Sequence, residues 1–249
     1  MRRLTLCVLA LAATVSAAFA ADGPQGDTFR SIALLPDFTG VWTIQNFANP
    51  GRSKDVVPLT AAYAARLEKT RALNRTGGDV PSPTYHCVPN GFPMMMAAPI
   101  GTYEFLMQPG FLLINGERNN ETRRIFTDGR PHPRDWKPNF YGHSSGHWEG
   151  GKVLVADTVG TLPQLQLFYG FVGAGDTEVT ERFSLPQADT IHIDTAIKDS
   201  AFTKPYTYAR DYKRQPGWVM MEDYCAQNNR DVDNKTGMQG FDAKPPPLP

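Results

Sequence analysis

Reactive side chains are densest between residues 123 and 157, which hold three of the five histidines of the 249-residue chain. His143 and His147 bracket residues 144–146, a Ser-Ser-Gly run whose small side chains let a ligand approach the backbone. A histidine with a pKa near neutrality takes up and returns protons, and a carboxylate beside it orients its ring. We therefore predict a catalytic loop in which His143 and His147 act as acid and base. Two carboxylates close in sequence are the candidates to orient them, Asp128 and Asp157.

Arginines and aromatic residues accompany this cluster. Arg124 and Arg130 are predicted to stabilise negative charge that develops on a substrate, because a guanidinium makes paired hydrogen bonds with carboxylate-like oxygens. Five further side chains are predicted to line a substrate pocket: Tyr103, Glu104, His132, Tyr141 and Trp148. The alternative is a structural network in which arginines and aspartates attach a long loop to the rest of the domain.

Other chemistries fit this segment less well. Two histidines spaced like His143 and His147 bind zinc when they share a helix face, but Gly142 and the Ser-Ser-Gly run disfavour a helix. Histidines that only make structural hydrogen bonds are the alternative to a metal site, and we predict no metal. The two serines lack the Gly-x-Ser-x-Gly elbow of common hydrolases, and no glycine-rich phosphate loop follows a strand. We therefore predict no cofactor.

The elements that must position these residues are mostly strands. Short apolar or aromatic runs recur at a spacing of roughly ten residues, separated by turns that contain Gly or Pro. The predicted strands are residues 103–107, 111–114, 121–127, 152–158, 177–185 and 191–197, with candidates near 206–212 and 218–219. One helix is predicted over residues 61–74, with Thr60 as its N-cap and Gly77 and Gly78 beyond its end.

Consecutive short strands form an antiparallel meander, which buries its apolar face by curling into a barrel or by stacking as a sandwich. The opening Gly40-Val41-Trp42 is similar to the Gly-x-Trp that begins lipocalin-like barrels, and it favours the barrel. No internal repeat is visible, which disfavours propellers and solenoids. We predict a single mainly β domain over residues 36–232 with one short helix.

The N-terminus has the pattern of a cleaved signal peptide over residues 1–20. Arg2 and Arg3 precede an apolar stretch that ends on Ala18-Phe19-Ala20, a pattern that signal peptidase recognises. A membrane anchor is the alternative, but the stretch is shorter than the ~20 residues that a bilayer span needs. We predict a periplasmic or secreted mature chain without a membrane span, with a flexible segment over residues 21–35 and a Pro-rich tail over residues 233–249.

Charge and cysteine content narrow the possible partners. Lys plus Arg and Asp plus Glu each number 25, so no global field attracts nucleic acid. Cys7 leaves with the signal peptide, and the remaining pair, Cys87 and Cys225, predicts one disulfide in an oxidising compartment. A redox or metal-binding thiol pair is the alternative, although the chain has no Cys-x-x-Cys motif.

Three motifs stand out by their length or composition: RRIFTDGRPHP at residues 123–133, GHSSGHWEGGKVLVADTVG at 142–160 and TERF at 180–183. With shorter motifs they resemble a large family of exported bacterial proteins of undefined activity, over residues 36–232. The resemblance implies export and a disulfide, and it implies no particular reaction. Such relatives carry a His-Ser-Asp-like triplet just before the strand predicted at 177–185, where this chain has Ala174-Gly175-Asp176. One potential ligand or base is therefore missing.

Compartment and residue clustering together favour a small exported enzyme. We predict a cofactor-independent lyase or isomerase that transfers protons on an apolar, aromatic or polycyclic molecule. One alternative is a periplasmic binding or carrier protein for a hydrophobic ligand, and another is a structural protein of the envelope. A histidine beside a carboxylate in a pocket would favour the enzyme, whereas a purely apolar cavity would favour the carrier.

Overall fold

Period-two alternation of apolar side chains produces the strands of this protein. The computed structural model describes residues 24–45, 57–76, 88–98, 101–168, 170–221 and 223. The strands in this part of the chain are β1 (Gly40–Ile44), β2 (Tyr103–Gln108), β3 (Phe111–Gly116), β4 (Thr122–Phe126), β5 (His143–Glu149), β6 (Val153–Val159), β7 (Gln166–Phe168), β8 (Phe171–Val172), β9 (Glu178–Gln187), β10 (Thr190–Lys198) and β11 (Tyr206–Arg214). The predicted strand at residues 218–219 does not form.

Nine of these strands close into a barrel in the order β1-β11-β10-β9-β6-β5-β4-β3-β2, and β7 pairs separately with β8. The barrel closes because β1 pairs with β2 on one side and with β11 on the other. The prediction of a mainly β, barrel-like domain is confirmed, and the sandwich alternative is wrong. Neighbours in the barrel are antiparallel except β4 and β5, which run parallel because residues 127–142 bring the chain back beside the last residues of β4 before β5 begins.

Three helices accompany the barrel in the described residues: α1 (Phe29–Ile32), α2 (Ala61–Arg75) and α3 (Met94–Ala97). The helix predicted over residues 61–74 is confirmed as α2. α1 lies in the segment predicted to be flexible, and Thr28 and Ser31 form a capping box at its start. No helix in the described ranges is both long and apolar enough to cross a membrane. The predicted signal peptide, the Pro-rich tail, Cys87 and Cys225 lie outside the described residues.

Large side chains fill the inside of the barrel. Those that are almost completely buried include Trp42, Phe105, Ile114, Ile125, Trp148, Phe183 and Tyr212. Two tyrosines of the barrel bind the backbone of α3. Met95 O accepts a hydrogen bond from Tyr103 (2.8 Å), and Met96 O accepts one from Tyr212 (3.0 Å). Arg210 Nε donates to Ala97 O at 2.9 Å. Side chains of the barrel thus satisfy the carbonyl groups at the end of α3, which a helix leaves unpaired.

Candidate functional site

His143 and His147 lie on strand β5, so the prediction that they belong to a loop is wrong. Alternation along β5 turns Trp148 into the barrel and exposes His147 on its outer surface. The run between the histidines looks like a loop because serine and glycine have low strand propensity. Gly146 is needed for a packing reason, since a Cβ there would lie 2.5 Å from Val155 O on the neighbouring strand β6. Close strand packing therefore requires the glycine.

His143 and His132 form the closest contact between two predicted site residues on different segments. Their Nδ1 atoms are 2.7 Å apart, which is the length of a strong hydrogen bond. His143 is 3% exposed, whereas His132, from the long connection between β4 and β5, is only half-buried. A ligand arriving from solvent therefore meets His132 first, with His143 behind it.

Aromatic rings surround His143. Phe126, the last residue of β4, stacks on the imidazole with ring centroids 5.4 Å apart, and Trp136 meets it edge-on at 5.0 Å. Trp136 is 36% exposed, so its indole combines a contact with His143 and a face toward solvent. The site has an apolar wall that suits an apolar or aromatic ligand.

Arg130 and Asp128 form an ion pair next to Phe126. Arg130 Nη2 is 2.5 Å from Asp128 Oδ2, and the Arg130 guanidinium carbon is 4.0 Å from the centre of the Phe126 ring. Hydrogen bonds from Arg130 lower the pKa of Asp128, so this carboxylate stays ionised. Ser145 on β5 donates a hydrogen bond to Arg130 O, which attaches the connection to the barrel.

Electrostatics keep His143 neutral. Burial lowers the pKa of His143, and His132 and the cationic Arg130 lower it further. A neutral His143 can accept a hydrogen bond at Nδ1 from the Nδ1–H of His132, whether His132 is neutral or protonated. Nε2 of His132 takes no part in this contact. The pair resembles a base and its orienting partner, with an imidazole in place of the usual carboxylate.

His147 does not join this pair. It lies four residues along β5 from His143, which corresponds to about 13 Å in an extended strand. Its Nε2 is 3.9 Å from Glu149 Oε1, and Arg182 holds Glu149 with a 2.6 Å ion pair. Asp157 accepts a hydrogen bond from Thr180 at 2.6 Å. The structure therefore brings together His132, His143, Arg130 and Asp128, and leaves His147 and Asp157 with other partners.

The remaining predicted site residues lie elsewhere. Tyr103 and Trp148 point into the barrel, where Tyr103 bonds α3 and Trp148 stacks on Phe38 at 5.5 Å. Glu104 lies beside Asn115, 3.5 Å away. Arg124 and Tyr141 also make their contacts away from the His132–His143 pair.

Arg124 is exposed on the outside of the barrel, with its guanidinium 4.9 Å from the centre of the Phe111 ring. Tyr141 is half-buried, and its pKa is raised by burial and by the charge of Glu121. The ring of Tyr141 lies against Phe140, with the ring centroids 6.5 Å apart.

Sequence reasoning missed two residues of this site and misjudged which arginine of β4 points inward. The two missed residues are Phe126 and Trp136, which form the apolar wall. Trp136 could have been found as a large aromatic residue in a Pro-rich connection between two strands. Arg123, and not Arg124, is the arginine of β4 that points inward, with 0% exposure. Residues two apart on a strand face the same side, so the apolar Ile125 could have predicted that Arg123 points into the barrel as well.

The described residues contain no group of three or more His, Cys, Asp or Glu side chains that could hold a metal ion. No protein-family model matches the chain. No curated protein matches it either.

Proposed function

We propose that this protein is a cofactor-independent lyase or isomerase that transfers protons on an apolar, aromatic or polycyclic molecule. The observation that carries the proposal is the 2.7 Å contact between His132 Nδ1 and His143 Nδ1 beside an apolar wall. In this proposal His132 is the acid and base, and His143 is the residue that positions it. His132 therefore takes the acid and base role that the sequence analysis assigned to His143 and His147, and His147 has no part in proton transfer.

The reaction begins when the lone pair on His132 Nε2 removes a proton from a carbon of the substrate. The electrons of the broken C–H bond move into the adjacent π-system, where the cationic Arg130 stabilises the negative charge. His132 then returns the proton. Delivery to another carbon completes an isomerisation, and delivery to a departing group completes an elimination, so neither route needs an oxidant or a reductant.

The arrangement of large side chains supports a surface site over a carrier that uses the barrel lumen. Trp42, Phe105, Trp148 and Tyr212 occupy the inside of the described barrel. Phe126 and Trp136 instead lie next to a titratable pair on the outside. A carrier would need the apolar surface without the histidine pair.

Hydrogen exchange tests proton transfer without knowledge of the product. The purified mature protein is incubated in D₂O with a panel of aromatic dimers and polycyclic compounds, and mass spectrometry follows deuterium uptake, isomers and fragments. We expect uptake into at least one compound with the wild type, and uptake about 10²- to 10⁴-fold slower with His132→Ala. His192→Gln is the matched control, since His192 is a half-buried histidine on strand β10 and should retain uptake. Equal uptake with His132→Ala would overturn the proposal.

The cellular setting is a separate part of the proposal. We propose that the chain is exported, that it is cleaved before Ala21, and that Cys87 and Cys225 form a disulfide. The Arg-Arg start, the Ala18-Phe19-Ala20 site and the even number of remaining cysteines support it. Expression in a bacterial host followed by N-terminal sequencing of the periplasmic fraction should yield Ala21 as the first residue. An intact N-terminus found only in the cytoplasm would contradict export.

A further inference from the structure

A charged pair lies inside the barrel, away from the proposed active site. Arg123 on β4 and Glu181 on β9 are both 0% exposed and form an ion pair through Nη2 and Oε2. Arg123 Nη2 also donates to Thr158 at 3.1 Å, and Arg123 Nε donates to Ser144 at 3.3 Å. The ring of Phe92 covers the guanidinium, whose central carbon is 3.7 Å from the ring centre.

One polar atom of each residue in this ion pair has no hydrogen-bond partner among the described residues. Among the described residues, neither Arg123 Nη1 nor Glu181 Oε1 makes a hydrogen bond, although both atoms are buried. A buried polar group that lacks a hydrogen bond is costly, and a charged group more so, which is why most such groups in native proteins are paired with protein or with ordered water.

The nearby hydroxyl groups are already engaged. Ser144 Oγ and Thr158 Oγ1 bond each other at 2.8 Å and share Arg123 as a donor. Thr195, buried on β10, is the cross-strand partner of Glu181 and supplies one more polar group on this side. Phe92 presents an apolar ring to the guanidinium and cannot accept a conventional hydrogen bond.

We propose that the barrel contains an internal site for ordered water between Arg123 Nη1 and Glu181 Oε1. A water molecule has the required chemistry, because its oxygen accepts from the guanidinium and its hydrogen is donated to the carboxylate. Buried waters in proteins make about three hydrogen bonds on average. The guanidinium and the carboxylate supply two of these bonds, and Thr195, the cross-strand partner of Glu181, is the candidate for a third.

The site explains how a charged pair is tolerated in a barrel filled with aromatic side chains. An ion pair away from bulk solvent is stable only when its remaining donors and acceptors are also satisfied. Ordered water completes the set without a change in the surrounding packing. The inference is independent of the reaction proposed at His132, which lies outside the barrel.

A crystal structure at about 1.5 Å resolution, together with ¹⁷O relaxation dispersion of the protein in solution, tests the proposal. We expect a water peak within hydrogen-bond distance, ~2.7–3.2 Å, of both atoms. The double variant Arg123→Met/Glu181→Met should lose at least one long-lived water. The control Glu149→Met/Arg182→Met removes an exposed ion pair and should lose none.

Two results would overturn the inference. One is a crystal structure in which no ordered water contacts both atoms, or in which protein atoms bond both of them. The other is an unchanged number of long-lived waters in a folded Arg123→Met/Glu181→Met variant. If that variant does not fold, the wild-type crystal structure decides the question by itself.

Discussion

The Nδ1 atoms of His132 and His143 lie 2.7 Å apart, so one nitrogen of the facing pair donates and the other accepts. Burial and the cationic Arg130 keep His143 neutral, which makes it the natural acceptor. The two residues are only eleven positions apart in sequence, but they meet because the connection folds back against the outer face of β5.

Substitutions at the two histidines should have different effects on proton transfer. His132→Ala removes the acid and base and should lower the rate about 10²- to 10⁴-fold. His143→Gln retains an amide oxygen that can accept from His132, so it should retain more activity than His143→Leu. The measurement is deuterium uptake into the substrate found in the panel, at several pH values. Equal loss in His143→Gln and His143→Leu would argue against a positioning role.

The contribution of His143 to the stability of the protein should fall in mild acid. Its pKa in the folded state lies below the ordinary value of about 6.5, so the unfolded chain binds the proton more readily. The stabilising contribution of neutral His143 is present above that pH and is lost as the pH falls through the folded-state value. Urea unfolding of the wild type and of His143→Phe at pH 5–8 should show a shallower acid dependence in the variant. Parallel curves would contradict this.

Gly146→Ala should destabilise the barrel. Its new Cβ would lie 2.5 Å from Val155 O, so β5 and β6 would have to separate, at a cost of ~1–3 kcal/mol. Gly110→Asn is the matched control, because no atom lies within 4 Å of a Cβ there and asparagine tolerates its positive φ. Thermal unfolding should show a clearly lower midpoint for Gly146→Ala. The idea fails if the control is affected equally.

Cys87 and Cys225 should be joined in the exported protein. Thiol titration of the denatured, unreduced mature protein should detect no free thiol, and two should appear after reduction. Two free thiols before reduction would contradict the prediction. The double variant Cys87→Ser/Cys225→Ser should be destabilised by roughly 2–5 kcal/mol in denaturant unfolding.

Arg123 and Glu181 should be strongly coupled. Either single change, Arg123→Met or Glu181→Met, leaves one buried charge without its partner and should cost about 3–5 kcal/mol. The double change removes both charges and should cost much less than the sum of the two. Denaturant unfolding of the four proteins gives the coupling energy. Additive effects would show that the pair does not act as a unit.

Much of the fold could be predicted from local patterns. Alternating apolar residues identified β9 and β10, and the start and stop signals identified α2 to within one residue at its end. β5 was missed because its Ser-Ser-Gly run resembles a loop, and the parallel pairing of β4 with β5 depends on contacts that no local pattern contains.

The site could be predicted only in part. His143, Arg130 and Asp128 were identified because they are close in sequence, and His132 was placed only in the pocket lining. His147 shares the strand of His143, but strand geometry separates the two.

The sequence by itself determined that this protein is mainly β with one substantial helix, because strand alternation and helix signals are local and need only neighbouring residues. It only favoured a barrel over a sandwich, and pairing of β1 with both β2 and β11 decided between them. Tertiary structure alone decided which reactive groups meet. Arg123 points inward to Glu181 and Arg124 points outward, since one step along a strand reverses the face. Likewise, His132 reaches His143 because residues 127–142 pack against β5 and bury His143 beside Phe126.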